Sequence, residues 1–171
     1  MMRIPPEILE GFSDADWAGD PDTRCSTSGY MFLLGGGAIS WGSKTQTSPA
    51  LSSTEVEYVR ATCATQEALW LRQMLFDLGI HQSDPTRVWC DNQSSITLSS
   101  NPSSYAHTKH IAIRHHFVHD TIARSLIQLS WIPSEKQVAD ILTKDLGRTK
   151  HEHFCLSMGL VSRLRGGVER K

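Results

Sequence analysis

The stretch Glu-Gly-Phe-Ser-Asp-Ala-Asp-Trp-Ala-Gly, residues 10–19, joins a short apolar strand to two aspartates. Side chains on a strand alternate between its two faces, so Phe12, Asp14 and Asp16 are predicted to share one face. Taken alone, an acidic turn leading into the loop at 19–22 is the simpler explanation of this stretch. A functional site is the better explanation only if the rest of the chain brings other acidic residues to the same point.

The composition is that of one ordinary globular domain. The chain has 171 residues, of which 39% are hydrophobic, enough for a core without disulfides. Its four cysteines are far apart and form no C-x-x-C pair, so neither a zinc site nor a disulfide framework is predicted. Lysine plus arginine (17) nearly balances aspartate plus glutamate (18), so net charge alone does not indicate nucleic-acid binding.

The sequence contains no apolar run long enough to span a bilayer and no apolar region of a signal peptide. We therefore expect a soluble intracellular protein, in a cytoplasmic particle or the nucleus, that has no membrane contact and is not secreted.

The order of the predicted elements favours a mixed sheet. After the first strand, a meander of strands turns at the glycines 35–37, and α/β crossovers follow. The later strands are predicted at 30–34, 38–41, 87–90 and 126–131, and the helices at 53–78, 92–98, 107–125 and 134–146. The last helix is predicted to begin with an S-x-x-Q capping box at Ser134 and Gln137.

The helix at 53–78 carries an apolar stripe that points back to a glutamate. Apolar residues recur along it at spacings of three and four, namely Ala61, Ala64, Ala68, Leu71, Leu75 and Leu78. Glu57 lies one turn before this stripe, whereas Glu55 lies on another face and forms an S-x-x-E capping box with Ser52. Glu57 is therefore the better candidate for chemistry, although Thr54 and Glu57 form a competing capping box if the helix begins later.

Further carboxylates lie near the ends of other elements. Asp91 ends the fourth strand, and Asp140 lies in the second turn of the last helix. If the first strand pairs in parallel with the fourth, Asp14 and Asp91 lie side by side at a topological switch point. Carboxylates gathered at one point need cations, and oxygen ligands suit Mg²⁺ or Mn²⁺. Two such ions about 3.5–4 Å apart are an established arrangement for the attack of water on a phosphodiester.

Short runs distributed along the chain carry a family resemblance. They lie at 12–19 (Phe-Ser-Asp-Ala-Asp-Trp-Ala-Gly), 26–30, 38–41, 51–59, 90–94 (Cys-Asp-Asn-Gln-Ser), 108–111 and 139–144 (Ala-Asp-Ile-Leu-Thr-Lys). In this order they closely resemble the ribonuclease H domain of Copia-type retrotransposon Pol polyproteins. The resemblance implies an α/β, ribonuclease H-like fold, with a mixed five-stranded sheet in the order 3-2-1-4-5 and helices on both faces. It also implies hydrolysis of the RNA strand of RNA–DNA hybrids with two Mg²⁺ ions, or with Mn²⁺.

The same resemblance assigns the site. The catalytic and metal-binding quartet it implies is Asp14, Glu57, Asp91 and Asp140. Asp14 is expected to bridge both ions, with Glu57 and Asp91 holding one and Asp140 the other. Candidate contacts to nucleic acid are Ser13, Asn92, Gln93, Ser94, Lys109 and Arg114.

We expect three parts along the chain. Residues 1–10 are a lead-in remnant, 11–147 form the ribonuclease H-like domain, and 148–171 form a C-terminal segment with a basic, disordered tail. The expected partners are an RNA–DNA hybrid and the reverse transcriptase domain of a parent polyprotein, and the chain itself is expected to be a monomer.

Several positions depart from the family pattern. The loop at 132–137 has no histidine, Ala112 and His115 replace a usual aspartate and tyrosine, and Arg60 replaces a small residue. A catalytically weak or inactive nucleic-acid-binding remnant is therefore the alternative to an active ribonuclease H.

Overall fold

The computed structural model describes residues 8–16, 26–45, 53–93, 96 and 109–161, without the side chains of 53–59 and 109–112. The strands in this part are β1 (Glu10–Asp16), β2 (Thr27–Leu34), β3 (Gly37–Thr45), β4 (Thr86–Cys90) and β5 (Ile127–Trp131). The helices are α1 (Ser53–Asp77), α2 (Lys109–Ala123) and α3 (Arg148–Ser157), and two short 3-10 helices cover Ser134–Lys136 and Val138–Leu142.

The five strands form one sheet in the order β3-β2-β1-β4-β5, which confirms the predicted order. β1 is antiparallel to β2 and parallel to β4, and β4 is parallel to β5. The parallel pairing of β1 with β4 runs from Glu10, opposite Arg87, to Phe12, opposite Trp89. β1 is the central strand, so both of its edges are paired, and apolar clusters cover both faces of the sheet. A carboxylate at the end of this strand can therefore be buried.

The turn between β2 and β3 confirms the hairpin predicted at the glycines. Gly35 and Gly36 connect the two strands and have φ angles of 63° and 84°. A two-residue loop with both φ angles positive matches the right-handed twist of the strands, and glycine adopts it without steric cost.

Apolar clusters on both faces of the sheet hold the layers together. The cluster under α1 contains Leu9, Phe32, Ala64, Ala68, Leu71, Leu75, Val88, Cys90 and Ile127. The cluster on the opposite face contains Phe12, Met31, Val138, Ala139, Phe154 and Met158. Full burial of one such large side chain stabilises the folded state by about 1.5–3 kcal/mol. The prediction of helices on both faces is confirmed, and α3 contributes Phe154 to the core.

The apolar stripe of α1 is shorter than predicted. Ala64, Ala68, Leu71 and Leu75 are buried as expected, but Leu78 is 67% exposed. The helix ends at Asp77, and Gly79 has a φ of 81°, so the chain turns away from the sheet before Leu78 can reach it.

The helix predicted at 134–146 is wrong. Two 3-10 helices occupy this region, and the N-cap of the first is Pro133. The Ser134 hydroxyl donates to Asp91 Oδ2, at 3.3 Å. The amide of Gln137 is fully buried and donates instead to the carbonyl oxygens of Ser13 and Trp89, at 3.1 Å and 3.4 Å. The Gln137 side-chain oxygen also accepts from the Ala139 backbone N–H, so this residue caps the second 3-10 helix while its amide N–H groups bond to two strands, an arrangement that local pattern cannot reveal.

Some predictions lie outside the described residues. These are the helix at 92–98 for most of its length and the basic tail beyond 161. The limits proposed at residues 10 and 147 stay a prediction. No helix in the described part of the chain combines the length and the hydropathy needed to cross a membrane.

Candidate metal centre

Three aspartates from distant parts of the chain meet at one end of the sheet. Asp14 comes from β1, Asp91 directly follows β4, and Asp140 lies in the 3-10 helix Val138–Leu142. One carboxylate oxygen from each lies within 4.8 Å of the others. Asp14 and Asp140 are each only 1% exposed, and Asp91 is partly exposed. The side-by-side position predicted for Asp14 and Asp91 follows from the parallel pairing of their strands.

Asp14 is the carboxylate whose environment is most altered. Burial raises its pKa above the ordinary value, and this outweighs the hydrogen bond donated by Thr143 Oγ1 and the charge of Lys144, which lower it. The charges of Asp140 and Asp91 raise the pKa further. A carboxylate that is buried beside other carboxylates gains much from a nearby cation.

Gln137 fixes the spacing of the strands that carry Asp14 and Asp91. The backbone pairing of β1 with β4 ends at Phe12 and Trp89, just before the acidic residues. Beyond this point the Gln137 amide bridges the carbonyl oxygens of Ser13 and Trp89. The same residue begins the 3-10 helix that carries Asp140, so one side chain connects the three backbone segments of the site.

Three cationic side chains lie among the aspartates. Lys144 Nζ is 2.7 Å from Asp140 Oδ1 and 3.2 Å from Asp14 Oδ2. Lys150 Nζ is 2.8 Å from Asp140 Oδ2. Arg60 Nη1 is 4.0 Å from Asp14 Oδ1 and 3.9 Å from Asp91 Oδ1.

Lys144 is charged at neutral pH. Burial alone would lower its pKa, but the hydrogen bonds and charges of Asp140 and Asp14 together raise it. The ammonium therefore balances part of the negative charge of the site.

Three of the four predicted acidic site residues can be compared with the structure. The structure brings Asp14, Asp91 and Asp140 together, while the side chain of Glu57 lies outside the described residues. Its backbone is in the first turns of α1, the helix that also carries Arg60.

The predicted contacts to nucleic acid need one correction. Ser13 is fully buried in the central strand, so its side chain does not reach a surface that a nucleic acid can contact. Gln93 is exposed, and Asn92 and Arg114 are partly exposed. Ser94 and the side chain of Lys109 lie outside the described residues.

Sequence reasoning missed the residues that surround the aspartates. Thr143 and Lys144 stand three and four positions after Asp140, a spacing at which a turn or helix brings side chains together. That spacing was available as a signal. Lys150 and Gln137 gave none, because their contacts to the site depend on how the chain folds around the 3-10 helices.

The donor set fits a divalent cation. Carboxylate oxygens from three chain segments converge at one largely buried point, and Mg²⁺ and Mn²⁺ prefer such ligands. Lys144 and Arg60 are the competing cations at these oxygens.

Comparison with known proteins defines the class first by fold. LC11-RNase H1, solved in complex with RNA/DNA hybrid, is similar over 79% of this chain and 93% of that chain, with a TM-score of 0.56 and 11% identity. The protease-reverse transcriptase of prototype foamy virus matches over 91% of this chain and 21% of that chain, with a TM-score of 0.52 and 14% identity. At such identities the likeness concerns the fold, and the chain has the ribonuclease H-like fold.

Comparison of sequences then identifies relatives of the chain. The retrovirus-related Pol polyprotein from transposon TNT 1-94 of Nicotiana tabacum is 46% identical over 145 residues, which cover 85% of this chain and 11% of that protein. The Pol polyprotein from transposon RE1 of Arabidopsis thaliana is 39% identical over 152 residues, covering 89% of this chain and 10% of that protein. No protein-family model matches the chain. The chain is a homologue of retrovirus-related Pol polyproteins from plant transposons and spans about a tenth of their length. Together with the ribonuclease H-like fold, this fits the predicted Copia-type ribonuclease H domain.

Proposed function

We propose that this chain hydrolyses the RNA strand of RNA–DNA hybrids, with two divalent metal ions held by Asp14, Glu57, Asp91 and Asp140. The observation that carries the proposal is the convergence of Asp14, Asp91 and Asp140 within 4.8 Å. The similarity of the chain to retrovirus-related Pol polyproteins supports the same reaction class. The substrate, the metal ions and the turnover by this chain are parts of the proposal.

Each residue has a distinct role in this proposal. Asp14 and Asp140, both buried and adjacent, share the negative charge that attracts the cations. Thr143 orients Asp14 through its hydroxyl, and Gln137 keeps the two strand ends at a fixed distance. When bound, divalent ions supply an activated water molecule and neutralise charge at the leaving 3′ oxygen.

Recognition of RNA requires groups that contact the 2′-hydroxyls beside the site. Asn92 and Gln93 follow Asp91 directly, and both have exposed surface, so we propose them for this contact. Arg114 on α2 is the proposed contact to phosphate among the described side chains. In a longer polyprotein, a reverse transcriptase segment is proposed to present the hybrid.

A cleavage assay with matched aspartate variants tests the function. The purified chain is incubated with an end-labelled RNA–DNA hybrid in Mg²⁺ and, separately, in Mn²⁺, and the RNA products are resolved on a gel. Asp14→Asn is expected to reduce the cleavage rate by about 10³-fold, equivalent to about 4 kcal/mol of transition-state stabilisation. The cleavage rate should fall because asparagine lacks the negative charge of Asp14, so the site would bind divalent cations more weakly.

The control is Asp120→Asn on α2, an exposed aspartate outside the site, which should leave the rate unchanged. Single-stranded RNA and double-stranded DNA should not be cut. If the wild-type chain cleaves the hybrid no faster than Asp14→Asn in either metal, the proposed enzymatic function is wrong.

One observation favours a second candidate, a nucleic-acid-binding domain that is catalytically weak. Arg60 is buried beside Asp14 and Asp91, and its charge opposes that of a metal ion at the same carboxylates. In that case Arg60→Ala should raise the cleavage rate in the same assay, since the replacement removes the opposing charge.

A further inference from the structure

The two lysines of the site differ in the number of carboxylates that each contacts. Lys144 Nζ contacts two carboxylates, those of Asp14 and Asp140, whereas Lys150 Nζ contacts Asp140 alone. Lys144 contacts Oδ2 of Asp14 and Oδ1 of Asp140, so a divalent cation bound to both carboxylates would take these oxygens from the ammonium or lie close beside it. Lys144 and such a cation therefore compete for the same ligands.

The side chain of Lys144 can also move away from the two carboxylates. Its side chain is 31% exposed and lies just after the 3-10 helix Val138–Leu142. The side chain of Arg60, by contrast, is only 3% exposed. A lysine is a single charge on a flexible four-carbon stem, so it can move into water while its backbone stays in place. Arg60 cannot do so without opening the packing of α1.

We propose that Lys144 is an exchangeable counter-ion of the acidic centre, which neutralises Asp14 and Asp140 in the absence of metal and is displaced when a divalent cation binds. The proposal rests on the metal site of the proposed function and goes further, because it assigns to this lysine the control of metal affinity. Without metal, the ammonium keeps two buried carboxylates together that would otherwise repel each other. With metal, the same ammonium opposes binding and must turn towards solvent.

Metal affinity measured without nucleic acid tests this inference. Mn²⁺ binding is followed by isothermal titration calorimetry, with electron paramagnetic resonance of free Mn²⁺ as a second measurement. Lys144→Met should bind Mn²⁺ about tenfold more tightly than wild type, because a repelling charge close to the ion is removed. In EDTA the same variant should unfold at a lower temperature than wild type, and Mn²⁺ should raise its unfolding temperature by more.

Lys150→Met is the matched control. It also removes one positive charge and one contact to Asp140, but Lys150 does not lie between two carboxylates. The Mn²⁺ affinity of Lys150→Met should change by about twofold at most, because Lys150 contacts only one of the two carboxylates. Lys144→Gln is a second variant in case Lys144→Met folds poorly, as judged by circular dichroism.

The outcomes are separable. Equal tightening by Lys144→Met and Lys150→Met would indicate a general charge effect and overturn the special role of Lys144. Weaker Mn²⁺ binding by Lys144→Met would show that the lysine organises the ligands, and it would also overturn the proposal. If the wild type binds Mn²⁺ and Lys144→Met matches its affinity, the counter-ion proposal fails while the metal site stands. If neither the wild type nor any variant binds Mn²⁺, the proposed metal-dependent function fails as well.

Discussion

The cluster under α1 and the acidic centre are both buried, yet burial has opposite consequences in them. Phe32 in the cluster and Asp14 in the centre are each almost completely removed from water. Removing the aromatic ring from water stabilises the folded state. Removing the carboxylate disfavours its charged form and raises its pKa. The apolar core therefore raises the free energy of unfolding, and the buried charge of the acidic centre lowers it.

This difference explains how the acidic centre is supported. Its aspartates are supported by polar neighbours: Thr143 and Lys144 contact them directly, and Gln137 holds the strand backbone beside them. The apolar cluster needs no such partners, because close packing is sufficient. Variants in the two regions should therefore differ both in the size and in the sign of their effect on stability.

The largest effect is expected in the core. Phe32→Ala should lower the free energy of unfolding by about 3–5 kcal/mol, since a fully buried ring is replaced by a cavity. Chemical denaturation followed by circular dichroism measures the loss, and Phe32→Leu should give a smaller one. Leu78→Ala is the control, because Leu78 is exposed and its loss should stay within about 0.5 kcal/mol. Similar losses for Phe32→Ala and Leu78→Ala would contradict this account of the core.

An intermediate effect is expected at the support of the acidic centre. Gln137→Leu keeps a similar volume but removes the amide that bridges Ser13 and Trp89, so the unfolding free energy should fall by about 1–3 kcal/mol. The same denaturation experiment measures it. Gln128→Leu changes an exposed glutamine on β5 and should be nearly neutral. An equal loss in both variants would mean that the bridge adds nothing to stability.

The smallest effect, of opposite sign, is expected at Asp14. In EDTA at neutral pH, Asp14→Asn should raise the unfolding temperature by about 2–4 °C, the shift that about 1 kcal/mol produces in a domain of this size. The substitution removes the buried charge of Asp14. The side-chain oxygen of asparagine can still accept the hydrogen bond from the Thr143 hydroxyl. Thermal unfolding followed by circular dichroism measures the shift, and Asp120→Asn is the exposed control.

The pH dependence of this difference gives a further check. The pKa of Asp14 is raised in the folded state, so below the ordinary value of 3.8 the carboxyl is protonated in both states and adds no penalty. As the pH rises through the raised pKa of the folded state, the buried carboxyl becomes charged, and the free energy of unfolding of the wild type falls. The advantage of Asp14→Asn should therefore shrink as the pH falls towards 3.8. A lower unfolding temperature for Asp14→Asn in EDTA would mean that the contacts of Thr143 and Lys144 outweigh the cost of burial.

Much of the fold is predictable because its signals are local. The glycines 35–37 predict the hairpin between β2 and β3, and the alternation in 10–16 predicts the central strand. The apolar spacing of α1 identifies the face that packs on the sheet. It fails only at Leu78, where the helix has already ended and the rule of periodicity no longer applies.

The region 134–146 shows where local signals fail. Ser134 and Gln137 match a capping box in sequence, but the Gln137 amide makes better use of two strand carbonyls far away in the chain. These long-range hydrogen bonds outweigh the helical tendency and leave two short 3-10 helices.

The sequence by itself determined the class of the fold, the order of the strands and the aspartates that meet at Asp14. The order of the predicted elements favoured a mixed sheet, and the resemblance of short runs along the chain to the ribonuclease H domain of Copia-type Pol polyproteins implied the strand order and the acidic residues. Only the tertiary structure decided what surrounds these carboxylates. Lys144, Lys150 and Arg60 reach the centre from separate elements, and their charges act over a few ångströms of space, a distance that separation along the chain does not encode.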